Sequence, residues 1–150
     1  MSGNSFNEKI DSTNNIAVLE ISLQKGKDFI LYILLHSDGT INRSGMPNET
    51  FTGAKENSSK EVYMGQSDYK ILKEMITYLT LELVNDKGEH NLGGSGEKLD
   101  LNIVLKIEDR GMRSKYTYGS ESSGPPIFVK NFLNKAVELT DKWVLEIKKK

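Results

Sequence analysis

Leu99-Asp100-Leu101-Asn102-Ile103-Val104-Leu105-Lys106-Ile107 alternates apolar with mostly polar side chains, and its reading decides the fold class. A sustained period of two marks a half-buried strand, because successive side chains in a strand point to opposite faces. Asp109-Arg110-Gly111 turns the chain, and Met112 to Tyr118 returns as a second strand with Met112, Ser114, Tyr116 and Tyr118 on one face. A Gly/Ser/Pro loop then reaches Pro125-Pro126, which suits a helix start, where a missing N–H breaks no intrahelical bond. From there to about Ile147, Val129, Phe132, Leu133, Ala136, Thr140, Trp143, Val144 and Ile147 lie within about 60° of one direction on a helical wheel. Strand, turn, strand and amphipathic helix make one folded α+β unit.

Working outward, Ile16 to Gln24 also alternates, with Ala17, Leu19, Ile21 and Leu23 on one side. Lys25-Gly26-Lys27-Asp28 turns into Phe29 to Leu35, which is apolar on both faces and so belongs inside a sheet. Asp38-Gly39 predicts a two-residue type I′ hairpin leading to a short strand at Thr40 to Arg43. Ser44 to Gln66 is a long excursion rich in Gly, Asn and Ser. Its apolar members, Phe51 and the cluster Val62-Tyr63-Met64, predict that it packs down, with room for one added edge strand.

Ser67 or Asp68 is placed to cap a helix from Tyr69 to about Val84. Tyr69, Leu72, Met75, Ile76, Leu79 and Leu83 form its core stripe, and Ile71, Tyr78 and Leu81 form a weaker second strip. Asn85 to Lys98 reads as a polar loop. The expected fold is a two-layer α+β domain over residues 16–150, an antiparallel sheet of four to five strands packed on two helices in the order strands, helix, strands, helix. Met1 to Asn15 is expected to be a disordered tail. The layout is similar to that of several small bacterial domains in architecture alone, with no family motif.

Composition narrows the function classes. The 150 residues carry 20 basic and 21 acidic side chains, for a net charge of -1. The two signs are interspersed, which argues against a nucleic-acid partner, since phosphate neutralisation needs a concentrated basic surface. The longest apolar runs fall far short of the roughly 20 residues that a membrane span requires, so no membrane partner is expected. With no cysteine, the chain has no disulfide, thiolate metal ligand or thiol nucleophile. Together with the polar Met1–Asn15 segment, this fits a cytoplasmic protein, secretion being left open should a leader precede the chain.

Catalytic patterns are sparse. His36-Ser37-Asp38 brings triad residue types together, yet neighbours along a chain entering a hairpin do not converge on one atom. His90, with Asp86 and Glu89 nearby, lacks metal-ligand spacing, so neither metal nor cofactor is expected. Leu92 to Lys98 has the glycines of a phosphate loop without its lysine position or its following helix. Ser122, Ser123 and Gly124, at the start of the last helix, are a weak anion-binding candidate.

The resulting expectation is a small non-enzymatic protein acting by protein–protein binding, of the inhibitor, adaptor or immunity type, with a protein partner or a second copy of itself. Its contact residues are Ile71, Tyr78, Leu81 and Leu145, which lie off the core stripes of the two helices. The alternative is a small-molecule-binding or hydrolytic domain. Its pocket would lie between the sheet and the 44–66 excursion, lined by His36, Tyr63, Arg113 and Tyr116.

Overall fold

The computed structural model describes residues 16–56, 58, 61–67, 70–107 and 110–149. The expected tail, the cap Asp68, Tyr69 and the turn residue Asp109 lie outside the described residues. The chain forms β1 (Ile16–Lys25), β2 (Asp28–His36), β3 (Thr40–Ser44), β4 (Val62–Gln66), α1 (Lys70–Ile76), α2 (Leu81–Asn85), β5 (Gly88–Gly93), β6 (Lys98–Ile107), β7 (Arg110–Gly119) and α3 (Ile127–Lys148).

The α+β class holds, but the expected sheet of four to five antiparallel strands on two helices does not. Seven strands run in the order β4-β3-β2-β1-β6-β7-β5, with β5 parallel to β7 and every other neighbouring pair antiparallel. The added strands are β4, from the Val62 cluster, and β5, from the expected polar loop. Half of β5 is glycine or asparagine, and its side chains are exposed except for the half-buried His90. It joins the sheet through backbone pairing and carries no hydrophobic pattern to announce it.

The expected single first helix is two. Thr77 Oγ1 donates to the Glu74 carbonyl at 2.6 Å, and Thr80 Oγ1 accepts from the Leu83 N–H as the N-cap of α2. Threonine hydroxyls that bond nearby backbone compete with the helix ladder, and here they restart it. The predicted stripe residues Leu72 and Met75 of α1 and Leu83 of α2 are buried, as is Leu79 between the two pieces. The β2–β3 connection also differs from expectation. Only Gly39, and not Asp38, has a positive φ, so the loop is three residues long with glycine in the left-handed position.

One face of the sheet carries the core. Leu19, Ile21 and Leu23 of β1, Leu31, Ile33 and Leu35 of β2, and Leu99, Leu101, Ile103 and Leu105 of β6 are buried in one cluster with Val129, Phe132, Leu133, Ala136 and Trp143 of α3. The opposite face holds Glu20, Ser22, Tyr32, Leu34, Asn42, Asn102, Val104 and Arg113, all at least partly exposed. All three helices pack on the core side of the sheet.

The excursion after β3 closes the end of this core. Asn48 ties its tip together, its Oδ1 accepting from the Thr52 N–H at 2.9 Å, while Pro47 and Ala54 form a short bridge. The turn drives Phe51 into the core at 1% exposure, where its carbonyl accepts from the Tyr118 hydroxyl at 2.5 Å. The price is a φ of 58° at Phe51, the one non-glycine residue with positive φ among the described residues.

Candidate functional site

The excursion leaves β3 at Gly45, where a Cβ would stand 2.0 Å from the Ile30 carbonyl oxygen. Glycine thus lets the departing chain press against β2 and then swing over the open face of the sheet. Between the two lies a cleft of about 890 Å³. Ile30, Tyr32, Asn42, Ser44 and Val62 line it from the sheet, Ala54, Lys55 and Ser58 from the excursion, and Lys25, Lys27, Asp28 and Phe29 from the β1–β2 turn.

Hydrogen bonds within the excursion hold the outer wall. The Lys55 N–H donates to the Met46 carbonyl at 2.8 Å, and the Met46 N–H to Ser58 Oγ at 3.1 Å. Inside, Phe29 meets Tyr32 edge to face with ring centroids 5.9 Å apart, while Phe29 remains 53% exposed. The Tyr32 hydroxyl donates to Glu20 Oε2. Burial, reinforced by that carboxylate, pushes the Tyr32 phenol up to about 12. Asn42 Oδ1 is buried with no hydrogen-bond partner among the described residues. The cleft thus brings together an exposed ring, three lysines, one aspartate and a buried amide oxygen that lacks a donor.

A pocket does lie between sheet and excursion, but none of the four residues expected to line it does so. His36 sits at the end of β2, its Nδ1 3.1 Å from Asp38 Oδ1 within the hairpin. Tyr63 lies on the helix-side face of β4 beneath Lys148, whose ammonium is 5.3 Å from the ring centroid. Arg113 is on the open face with its guanidinium on Asn102 Oδ1, at 2.9 and 3.1 Å. Tyr116 is fully buried, stacks on His90 at 5.1 Å and donates to Asp86 Oδ2 at 2.6 Å. Burial first and Asp86 second raise its phenol well above the usual range.

The four expected contact residues do not share a surface. Ile71 borders a groove with Leu139 and Trp143 on one flank of α3, whereas Leu145 borders another with Arg43 and Tyr63 on the opposite flank. Tyr78 is 38% exposed and packs under the Lys135 ammonium, and Leu81 is half-buried. The anion candidate is committed to its own loop. Ser122 Oγ donates to the Gly119 carbonyl and accepts from the Gly124 N–H, the Ser123 carbonyl accepts from Lys130, and Gly124 is pressed against the Thr50 carbonyl.

Comparison with protein-family models, curated proteins and solved structures finds no match. No described helix is long and apolar enough to cross a membrane, and the described residues hold no group of three or more His, Asp or Glu placed to bind a metal ion.

Sequence reasoning missed Lys25, Lys27, Phe29, Tyr32 and Asn42. One signal was available. Phe29 to Leu35 is apolar on both faces while its neighbours are half polar, so part of that strand must stand on an uncovered face.

Proposed function

We propose that this protein is a non-enzymatic binding domain whose cleft captures an acidic segment of another protein. The reading rests on one juxtaposition, the exposed Phe29 ring beside Lys25, Lys27 and Lys55. An aromatic residue at a cleft provides apolar contact area with little conformational entropy to lose, and flanking lysines steer and orient an anionic chain. Lys25 is in part engaged with Glu97 at 4.0 Å, which leaves Lys27 and Lys55 as the stronger contributors. A cytoplasmic setting belongs to the same reading and rests on the cysteine-free composition.

Titration with a glutamate-rich peptide containing one leucine, followed by amide NMR, tests it. Signals from Lys25 to Tyr32 and at Lys55 should move, and the doubly substituted Lys27→Glu, Lys55→Glu chain should weaken binding at least about tenfold. A lysine-rich peptide should leave the spectrum unchanged. Equal response to both peptides, or none to the acidic one at millimolar concentration, would sink the reading.

A further inference from the structure

We infer that this chain pairs with a second copy of itself through the outer edge of β4, in an antiparallel register centred on Met64. Among the described residues no strand pairs with that edge. Unpaired edges recruit other strands, and proteins guard them with lysine, proline or an inward-pointing charge. Val62–Gln66 carries none of these. It displays Val62 at 58% and Met64 at 69% exposure on the open face.

The helix-side face of the same edge is also apolar. Gly65 lies under Trp143, where a Cβ would stand 3.1 Å from the indole, and Tyr63 lies under Lys148. Leu145, 57% exposed, borders a groove with Glu61 and Tyr63, and Ile147, 37% exposed, borders one with Gln66 and Ser67. Exposed aliphatic side chains therefore stand on both sides of the edge, Val62 and Met64 on the open face and Leu145 and Ile147 on the helix side.

The register argues for a second copy in place of an unrelated strand. A two-fold axis at Met64 sets Tyr63 opposite Gly65 of the other chain twice, so neither ring meets a facing side chain across the seam. Val62 then faces Gln66. Moving the centre to Tyr63 would set the two Tyr63 rings directly opposite each other and take Met64 off the axis. An odd-numbered slip would oppose the two faces of the sheet.

The edge shares Val62 with the rim of the cleft, and sedimentation velocity on the full chain with no peptide present tests the pairing alone. The wild-type chain should be a dimer. Met64→Lys and Met64→Glu should each be monomers with unchanged circular dichroism, because like charges fall directly opposite. An equimolar mixture of the two should recover the dimer. Met64→Cys, in a chain with no other cysteine, should form a covalent dimer under mild oxidation, since directly opposed Cα atoms lie about 4.5–5.5 Å apart in an antiparallel pair. Lys106→Cys, exposed on a central strand, should not. A monomeric wild type at high concentration, a dimer that survives both charged variants, or cross-linking no faster than at position 106 would overturn it.

Discussion

Phe51 combines two properties that rarely coincide, a φ of 58° and a side chain 99% removed from solvent at 1% exposure. The left-handed conformation costs a non-glycine residue roughly 1–2 kcal/mol, and the buried ring outweighs that cost. Phe51→Ala should therefore destabilise by about 3–5 kcal/mol. Phe51→Gly should be the milder change by about 1 kcal/mol, reversing the usual order of the two replacements, because glycine carries no penalty at positive φ. Urea unfolding of both variants checks the order, and an alanine variant equal to or more stable than glycine would remove strain from the account. The ring's burial follows from the sequence, where it is a lone aromatic in a polar stretch. Its backbone conformation was not legible, because it arises from the Asn48 side chain bonding the backbone at Thr52.

At the scale of elements, β3 and α3 are fastened together by one guanidinium. Arg43, 3% exposed, donates to Asp141 at 2.5 Å, Thr140 at 3.0 Å, the Val137 carbonyl at 3.3 Å and the Gly45 carbonyl at 2.8 Å. The partners are unequal, since the Asp141 side chain is 48% exposed. Asp141→Ala leaves a buried charge without its counter-ion and should cost about 3 kcal/mol. Arg43→Met releases a carboxylate that water already reaches and should cost less, as thermal unfolding of the pair would reveal. The sequence places β6, β7 and α3 because each shows its face by periodicity. It places neither β5 nor the break between α1 and α2, where glycines and threonine hydroxyls decide through backbone bonds. The cleft is legible only as a region, because its lining comes from a turn, a strand face and an excursion that meet by topology.

Across the whole molecule, three phenols, two of them buried and one half-buried, set an alkaline limit. Tyr32 is held up to about 12, and burial also raises Tyr116 and Tyr118. Unfolded tyrosines titrate near pH 10. Below that pH both states keep these protons and the contribution to stability is complete. As pH rises further, the unfolded chain loses them first, so stability falls. Of the six tyrosines, these three should ionise in one step that coincides with loss of circular dichroism, and Tyr32→Phe should remove one phenolate from that step. Gradual ionisation without unfolding would contradict this. The parallel pairing of β5 with β7 carries a different consequence, one of timing. On the ribosome Gly88–Gly93 emerges before Arg110–Gly119, yet β5 has no neighbour until β7 exists. The strand therefore waits through the synthesis of an entire hairpin, and on that side the first strand made is the last to join the sheet.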